Sequence, residues 1–429
     1  MFETKVSTTN DLRWRGLIHQ ISDEALAAKL DLGQGIAYIG FDPTSDSLHV
    51  GNLIQLLNLR RLQIGGNSPI VLAGGGTGMV GDPSGKSEER VLLDRDQLEF
   101  NVSRIQVQLS HILDFSQGLG QARLVNNIDW LGQMGMLEFL RDIGKHMTVN
   151  QMIAKDSVRT RLNQREQGIS FTEFSYMLMQ ATDYLHLFDT FGCNLQMGAS
   201  DQWGNITAGI DLIRKTRSET VYGLTSPLLL KSDGTKFGKS EQGAIFLDPE
   251  KTSPYEFYQF FVRADDASVE TFLKFFTFLS HDHIDDLIKR GADKPEERLG
   301  QHALAEELTS LIHGQDGLAL ARQASQALFS EDVFAMDARA ISMALAGAPS
   351  YNITAAALSQ GVAVIEVIVA SGVAKSRSEA RKLIEQGGLY LNNVRVRDLD
   401  ATLGVGDVLP GGRIIVRRGK KDHLAIVVS

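Results

Sequence analysis

The sequence has little cysteine and no long apolar run, and each shortage excludes a class of protein. Its 429 residues contain one cysteine, Cys193, which excludes an intramolecular disulfide and a cysteine-based metal cluster. So little cysteine suits a reducing compartment, and we expect a cytoplasmic protein. The most apolar stretch, residues 362–370, is short and carries Glu366, so we expect no membrane span. The mixed charges of residues 1–15 predict no secretory signal.

The length and the charge distribution indicate several domains, the last of them basic. A chain of 429 residues exceeds one ordinary domain and predicts two or three. The net charge is −9, yet residues 371–429 carry 11 lysines and arginines against 6 acidic residues. This segment is either a binding surface for a polyanion or simply a basic surface, and charge alone favours neither interpretation.

Strand and helix patterns alternate through the first half of the chain. Apolar segments predict strands at 36–41, 69–73, 122–126 and 191–197. Helical patterns lie between and after them, at 50–62, 98–113, 137–144 and 202–214. This alternation predicts an α/β fold with a Rossmann-like parallel sheet covered on both faces. Ligands of such sheets bind at the carboxyl ends of the strands.

The second half of the chain has a different pattern. Helices predicted at 255–263, 268–279 and 301–328 indicate an all-α domain. Residues 336–359 are rich in small side chains and contain Pro349, so they predict a linker with weak structure. A helix and short strands then predict a small α+β domain. The predicted boundaries are 1–245 for the Rossmann-like domain, 246–330 for the helical domain, 331–361 for the linker and 362–429 for the last domain.

Two short motifs far apart in the chain predict one phosphate site. Residues 49–52 (HVGN) open a predicted helix just after an apolar strand, and residues 236–240 (KFGKS) form a small basic loop. Donors at a helix N-terminus and mobile lysines opposite them would steady ATP phosphates while the α-phosphate is attacked. Each motif is weak alone, because a histidine at a helix start is usually a surface residue and a basic run is usually a solvated loop.

Six short stretches, in the same order, resemble the bacterial tyrosyl-tRNA synthetases, a family of class I aminoacyl-tRNA synthetases. They are YIGFDPT at 38–44, HVGN at 49–52, GDPSGK at 81–86, FTEFSY at 171–176, SDQWGN at 200–205 and KFGKS at 236–240. HVGN and KFGKS correspond to the family's HIGH and KMSKS signatures. The resemblance covers nearly the whole chain. It implies that tyrosine attacks the α-phosphate of ATP, giving tyrosyl-adenylate and pyrophosphate, and that tRNA then takes the tyrosyl group.

The resemblance also implies which residues bind ATP. The predicted catalytic residues are His49, Asn52, Thr44, Lys86, Arg90, Lys236 and Lys239, and the remaining ATP-binding residues are Gly40, Asp42, Gly51, Asp201 and Ser240. Four of the catalytic residues are cations, which help most where negative charge grows on the phosphates. HVGN departs from HIGH by ending in Asn52, whose amide can donate a hydrogen bond as an imidazole can.

The tyrosine site implied by the resemblance contains a buried acceptor for a phenol. Tyr38 and Asp183 match the family's pair that hydrogen-bonds the substrate hydroxyl. Such a site rejects phenylalanine because Asp183 would lose its donor, and tyrosyl-tRNA synthetases are the usual example of this rule. Tyr176, Gln180 and Asp183 recur at helical spacing and should share a helix face. The whole predicted tyrosine set is Tyr38, Asp82, Asn127, Tyr176, Gln180, Asp183, Gln196 and Gln202.

Besides Asn52, four positions depart from the family's pattern: Ile39, Thr182, Tyr184 and Ala199. We expect Thr182 and Tyr184 to change the shape of the pocket wall. Ala199 replaces a glycine, so its Cβ should crowd the nucleotide, and Ile39 should remove a hydrogen bond to the ribose.

The C-terminal segment resembles a small RNA-binding fold first named in a ribosomal small-subunit protein. Arg377, Arg381 and Lys382 recur at helical spacing and should contact RNA phosphates, although a solvated helix face is the simpler interpretation. The implied partners are tyrosine, ATP, tRNA and a second copy of the chain in a homodimer. We expect Mg²⁺ to accompany ATP, without a tightly bound cofactor or a dedicated protein metal site.

Two other functions stay open at this point. Tryptophanyl-tRNA synthetases share the architecture, but Tyr38, Asp183 and the C-terminal segment favour tyrosine. A non-catalytic RNA-binding protein on a retired synthetase fold is the second alternative. The residues that speak against it, because all are intact, are His49, Asp82, Asp183, Lys236 and Lys239.

Overall fold

The computed structural model describes seven segments of the chain, and of Lys239 and Ser240 it describes the backbone only. These segments are residues 6–82, 94–155, 158–159, 169–229, 237–240, 243–419 and 422–429. The chain divides into two compact units, Met1–Asp248 with Asp265–Gly300, and Pro249–Ala264 with Gln301–Ser429. Among the described residues, no helix is long and apolar enough to cross a membrane.

The first unit is built on a six-stranded sheet with helices packed against it. Its strands are β1 (Gln20–Ile21), β2 (Ile36–Phe41), β3 (Ser68–Ala73), β4 (Arg123–Asn126), β5 (Leu195–Ala199) and β6 (Tyr222–Ser226), and a separate hairpin joins β7 (Lys239–Ser240) to β8 (Gly243–Ala244). Its α-helices are Thr8–Trp14, Ala25–Asp31, Leu53–Ile64, Arg95–Ser110, Ile128–Leu131, Met136–Glu138, Val149–Ile153, Phe171–Phe191, Trp203–Arg217, Asp266–Phe276 and His281–Asp293.

The order of strands in this sheet is β1-β6-β5-β2-β3-β4. The five strands from β6 to β4 are parallel, and β1 pairs antiparallel with β6 at the edge. The predicted α/β fold is therefore confirmed, with one antiparallel edge strand that the sequence pattern did not indicate. The order reverses next to β2, so the carboxyl ends of β2 and β5 form the crevice where ligands of such sheets bind.

Local sequence signals explain where the helices beside this crevice begin and end. The hydroxyl of Ser170 accepts a hydrogen bond from the backbone N–H of Glu173, which caps the helix Phe171–Phe191. Gly192 ends that helix in the left-handed conformation, with φ at 68°. Behind the helix, Tyr184 and Leu187 are fully buried in the core of the unit. This packing fixes the helix face that carries Tyr176, Gln180 and Asp183 against the sheet.

The second unit combines helices with a five-stranded sheet of order β12-β11-β14-β15-β9. The strands of this unit are β9 (Ser350–Ile353), β10 (Val362–Ala363), β11 (Leu389–Leu391), β12 (Val394–Arg395), β13 (Thr402–Leu403), β14 (Arg413–Arg418) and β15 (Asp422–Val428), of which β10 and β13 pair separately from the five-stranded sheet. The α-helices of this part of the chain are Pro254–Val262, Leu299–Ala327, Ala338–Ala344, Ala355–Gln360, Val364–Ala370 and Arg377–Glu385.

Residues 336–359 are not the weakly structured linker that their small side chains predicted. They form the helix Ala338–Ala344, the strand β9 and the helix Ala355–Gln360. Strand β9 pairs in parallel with β15, so Ser350 lies opposite Ala425. The segment is ordered because its few apolar residues reach a core: Ile341 and Leu345 pack in one cluster, and Ile353 packs in another.

Two predicted helices also differ from the structure. The helix predicted at 301–328 is interrupted at Gly314, whose φ of 71° and ψ of 178° are not helical. The helix predicted at 137–144 is a single α-turn followed by the π-helical turn Phe139–Ile143. The predicted domain boundaries stay predictions, although Asp266–Phe276 and His281–Asp293 belong to the first compact unit.

Candidate active site

A cavity of about 460 Å³ opens at the carboxyl ends of β2 and β5 in the first unit. This volume is in the range of small-molecule sites in proteins. Many of the predicted site residues line it: Tyr38, Gly40, Asp42, Thr44, His49, Gly51, Asn52, Asp82, Tyr176, Gln180, Asp183, Asp201 and Gln202. Phe237 and Gly238 of the second motif line the same cavity. The structure thus brings the two distant motifs to one site.

The first motif forms a tight turn at the start of a helix. Residues Val50–Asn52 make a 3₁₀ turn, and the helix Leu53–Ile64 follows directly. The side-chain oxygen of Asn52 accepts a hydrogen bond of 3.0 Å from the backbone N–H of His49. Because the oxygen is used in this way, the amide Nδ2 of Asn52 is left as the donor. This amide can then face an anion at the helix N-terminus.

The second motif is joined to the first by backbone hydrogen bonds. Val50 N–H donates to the carbonyl of Ile245 at 2.9 Å, and Ile245 N–H donates to the carbonyl of Gly238 at 3.0 Å. Gly238 has a φ of +95°, and a Cβ built there would lie 2.8 Å from the backbone nitrogen of Gly51. Such a distance is a collision, so this approach requires glycine at 238.

Asp183, which also lines the cavity, is buried and held by two donors. Asn127 Nδ2 donates to one carboxylate oxygen at 3.0 Å, and Trp130 Nε1 donates to the other at 2.8 Å. Burial nevertheless raises the pKa of Asp183 to about 7, against the lowering effect of these two bonds and with a further increase from Asp42. Tyr38 is also buried, and burial together with Asp183 raises the pKa of its phenol well above 10.0.

Amide side chains connect three of the predicted tyrosine-binding residues, Asp82, Gln180 and Gln202. Gln202 Nε2 donates to the carboxylate of Asp82 at 2.8 Å, and Gln180 Nε2 donates to Gln202 Oε1 at 3.3 Å. Asn205 Nδ2 donates to the side-chain oxygens of both glutamines, at 3.0 and 3.2 Å. Asp82, Gln180 and Gln202 of this network all line the cavity.

Asp42 anchors a second group of hydroxyl contacts in the cavity. The phenol of Tyr176 donates to the Asp42 carboxylate at 3.4 Å, and the hydroxyl of Thr77 donates to it at 3.1 Å. Asn127 Nδ2 in turn donates to Thr77 Oγ1 at 3.0 Å. Through Thr77, these bonds connect the predicted ATP-binding residue Asp42 to the Asn127 amide that also holds Asp183.

Some predicted residues lie behind the cavity wall. Asn127 acts through its bond to Asp183, and Gln196 on β5 is 1 % exposed, with no hydrogen-bond partner for its Oε1 among the described residues. Thr182 donates to the carbonyl of Leu178, and Tyr184 donates to the carbonyl of Tyr222. These two departures from the family pattern therefore point into the core.

The structure describes the remaining predicted residues only in part. Lys86, Arg90 and Lys236 lie outside the described residues. Lys239 and Ser240 are described as backbone only, in β7, where Lys239 pairs with Ala244 of β8. The departures Ile39 and Ala199 both line the cavity.

Sequence reasoning missed three residues that shape the site. Trp130 donates to Asp183 and stacks on His186, with ring centroids 4.2 Å apart. Asn205 ties the two glutamines together. Gln55, which lines the cavity, donates to Ser226 Oγ at 2.7 Å, and its buried Oε1 has no partner among the described residues. Gln55 lies one turn beyond Gly51, which was the only available signal.

The single cysteine, Cys193, is fully buried, behind the cavity. It donates to the carbonyl of Ile36 at 3.3 Å, and burial raises the pKa of its thiol to about 12. Within the described residues, no group of three His, Cys, Asp or Glu side chains could hold a metal ion.

The predicted RNA-binding residues lie in the second unit on the helix Arg377–Glu385. Arg377 forms an ion pair of 2.7 Å with Glu366. Arg381 and Lys382 are exposed on the next turn of the helix. Ser376 caps the helix by accepting a hydrogen bond from Glu379 N–H.

The fold and the two motifs at its crevice define a class I aminoacyl-tRNA synthetase, and comparison with known proteins agrees. The family described as tRNA synthetases class I (W and Y) matches residues 33–330, and a tyrosine–tRNA ligase C-terminal domain family (SYY-like) matches residues 340–426. The chain belongs to this class I family of tryptophan and tyrosine tRNA synthetases.

Individual relatives are tyrosine enzymes by name. A Tyrosine--tRNA ligase of Roseiflexus castenholzii is 49 % identical over 415 residues, covering 96 % of this chain and 97 % of the relative. One of Bacillus caldotenax is 48 % identical over 420 residues, covering 97 % and 98 %. A solved structure of a C-terminally truncated mitochondrial tyrosyl-tRNA synthetase of Aspergillus nidulans has a TM-score of 0.68 and 34 % identity, covering 76 % of this chain and 95 % of that one. The resemblance predicted from the six stretches is therefore confirmed.

Proposed function

We propose that this chain is a tyrosine–tRNA ligase that activates tyrosine with ATP and transfers it to the 3′-terminal adenosine of its tRNA. The observation that carries the proposal is one cavity lined by the HVGN turn, by Gly238 and by the buried Asp183. An aromatic alcohol bound at Asp183 would place its carboxylate toward the phosphate end. No covalent enzyme intermediate is required, so catalysis is positioning and stabilisation of charge.

Tyrosine would be recognised at both of its polar ends. Its phenol would donate to Asp183 and contact Tyr38, while Asn127 and Trp130 hold the carboxylate in place. Its ammonium group would bind near Asp82, with Tyr176 and Gln180 beside it and Gln202 oriented by Asp82. Gln196 supports the slot from β5. A phenylalanine in this slot would leave the buried Asp183 without its donor, which supports selectivity for tyrosine.

ATP would occupy the other end of the cavity. His49, Asn52 and Thr44 would contact its phosphates, and Gly51 and Gly40 would let the nucleotide approach the backbone. Asp201 would bind the ribose, with Asp42 at the cavity floor. Lys236, Lys239 and Ser240, with Lys86 and Arg90, would stabilise the departing pyrophosphate. Cations that contact it more strongly as its charge grows lower the barrier rather than merely binding ATP.

We propose that Mg²⁺ enters with ATP as its counter-ion. The carboxylates of Asp42, Asp82 and Asp201 line the cavity, but within the described residues no group of three potential ligands forms a metal site. This donor set suits a hard cation held mainly by phosphate oxygens and water. Such an ion would offset phosphate charge, while the residues of the chain orient tyrosine and ATP.

The second unit would bind tRNA through its basic helix. Arg377, Arg381 and Lys382 lie on exposed turns of this helix. Contacts with RNA phosphates would anchor the tRNA while its 3′ end reaches the cavity, and such contacts weaken as salt rises. A synthetase that serves translation would work in the cytoplasm.

We further propose that two copies of the chain form a homodimer. Residues 136–153 of the first unit expose Met136, Leu137, Leu140, Val149 and Ile153, and Leu137 is 84 % exposed. An apolar surface of this kind favours an interface. Sedimentation analysis of the Leu137→Glu variant tests this: a shift from dimer to monomer is expected, and an unchanged dimer would place the interface elsewhere.

The experiment that tests the main proposal is ATP–pyrophosphate exchange with each amino acid in turn. Exchange with tyrosine alone is expected. Exchange with tryptophan and not tyrosine would assign the other enzyme of the family, and no exchange with any amino acid would indicate a retired catalytic fold.

A further inference from the structure

The aromatic ring of the second motif rests on a helix from a distant part of the first unit. Phe237 directly precedes Gly238, which lies against Gly51. Its ring centroid is 4.8 Å from that of Phe272 and 5.5 Å from that of Phe276. Both partners are buried on the helix Asp266–Phe276. The backbone position of the motif is therefore set partly by where this helix lies.

Two buried arginines fix the C-terminal end of this helix. Arg61 Nη2 donates to the carbonyls of Phe275 and Thr277, both at 2.9 Å. Arg15 donates to the carbonyl of Thr277 at 3.1 Å and, through Nη2, to that of Leu279 at 2.8 Å. Cations at a helix C-terminus satisfy the unpaired carbonyls and oppose the negative end of the helix dipole. Each arginine side chain is only 4 % exposed, so water cannot replace these bonds.

The charge of this pair is only partly compensated by a nearby carboxylate. Asp11 accepts from Arg15 Nε at 2.8 Å and lies 4.0 Å from Arg61 Nε. Burial, together with the charge of Arg15, lowers the pKa of Arg61 to about 9. The carbonyl groups at the helix end therefore offset much of the positive charge of the two guanidinium groups. Such an arrangement has one favourable geometry and resists displacement of the helix.

A single helix connects the first motif to the arginine pair. The helix Leu53–Ile64 begins at the HVGN turn, and Arg61 lies near its other end. It thus presents the first motif to the cavity and, through Arg61, fixes the helix on which Phe237 rests.

We propose that Phe272 and Phe276 are positioning residues for adenylate formation, which hold Phe237 and thereby set the approach of the second motif to the HVGN turn. This inference rests on the proposed function of the cavity. Neither side chain is among the residues that line the cavity. They act by limiting where the backbone of Phe237 and Gly238 can lie, and displacement of catalytic groups by about 1 Å can slow a reaction about a hundredfold.

A matched pair of variants separates positioning from stability. Phe276→Leu removes part of the ring that supports Phe237. Phe275→Leu makes the same change one residue earlier, at a buried ring that packs near Gly16. Both variants should lower the melting temperature to a similar extent. Only Phe276→Leu should slow single-turnover tyrosyl-adenylate formation, by about tenfold, with the dissociation constant of tyrosine unchanged. Equal slowing by both variants, or none by Phe276→Leu, would overturn the proposal.

Hydrogen–deuterium exchange gives a readout that needs no enzymatic activity. The amides of Val50 and Ile245 donate the bonds that join the two motifs. They should exchange faster in Phe276→Leu than in Phe275→Leu when both variants are equally folded. Equal exchange rates would contradict the positioning role, even if the amino acid that the enzyme activates proved different. If the wild-type chain were inactive with tyrosine but the two variants still differed in exchange rate, only the proposed function would be rejected.

Discussion

Gly238 and Gly51 pack backbone against backbone, so that a Cβ on Gly238 would lie 2.8 Å from the nitrogen of Gly51. Gly238→Ala should therefore force the two motifs apart and slow adenylate formation about a hundredfold. Gly243→Ala is a matched control, because its φ of +121° is equally unsuited to alanine but its Cβ would meet nothing within 4 Å. Single-turnover rates should separate the two variants, and similar rates would show that backbone strain rather than close approach is the cause.

His49→Ala should impair the chemical step and not tyrosine binding. His49 belongs to the HVGN turn, where we propose that the phosphates bind, whereas we propose that tyrosine binds at Asp183, on a different element of the cavity lining. Loss of one preorganised donor to a developing negative charge costs about a hundredfold or more in rate. Single-turnover kinetics and equilibrium dialysis with tyrosine measure the two effects separately. If both fall by the same factor, the assigned role is wrong.

Tyrosine binding should strengthen as the pH rises from about 6 to about 8. The pKa of Asp183 is about 7 because burial disfavours its charge, and the ionised carboxylate is the better acceptor for a phenol. The charge of Asp42 contributes to the raised pKa of Asp183, and the pKa of Tyr38 lies well above 10.0, outside this window. Fluorescence titrations across this range test the expectation. The Asp183→Asn variant should lose the dependence, and a slope retained in that variant would assign it to another group.

The same shift has a consequence for folding. Because the pKa of Asp183 is raised from 3.8, the native state retains a proton that the unfolded chain has lost between about pH 4 and pH 7. Asp183 should therefore make the free energy of unfolding fall as the pH rises through this range.

Asp183→Ala should erode discrimination against phenylalanine, and Trp130→Phe should do so to a smaller extent. The first change removes the acceptor for the phenol, whereas the second removes only the indole donor that holds it at 2.8 Å. A buried acceptor that loses its donor costs about 1–3 kcal/mol, which is the basis of the discrimination. The ratio of kcat/KM for tyrosine and phenylalanine in pyrophosphate exchange is the measurement. An unchanged ratio in Asp183→Ala would reject the assignment.

Reversal of charge at Arg381 and Lys382 should weaken tRNA binding and leave adenylate formation intact. Both side chains are exposed on one helix of the second unit. Each lost phosphate contact should reduce the slope of log affinity against log salt by about 1. Arg339→Glu, at another exposed arginine of the same unit, is the control. Equal loss of affinity in the control would indicate general electrostatic attraction rather than a defined RNA surface.

Local chemistry could be predicted from the sequence where the pattern itself contains the relevant spacing. His49 and Gly51 follow an apolar strand and open a helix, and Tyr176, Gln180 and Asp183 recur on one helix face. These residues do line one cavity. Trp130 could not be predicted in the same way. Its indole reaches Asp183 only because the short helix Ile128–Leu131 lies close to the helix Phe171–Phe191, which is a matter of tertiary packing.

The strand β9 shows the same limit in the second unit. Its residues lie in a segment rich in small side chains with Pro349 beside it, a composition typical of a linker. They form a strand because β15, far along the chain, offers a parallel partner at the sheet edge. Propensity within a short window contains no information on such a partner. The interruption at Gly314 was missed because a single glycine inside a helical pattern is usually tolerated.

Cys193 is the sole thiol of the chain, and its burial and raised pKa keep it out of reach of alkylating reagents. The native chain should therefore not react with a thiol-directed dye, so a fluorophore would attach only at an introduced cysteine. A maleimide dye on Val405→Cys, at an exposed position of the second unit, would report the docking of tRNA in real time without prior removal of any natural side chain.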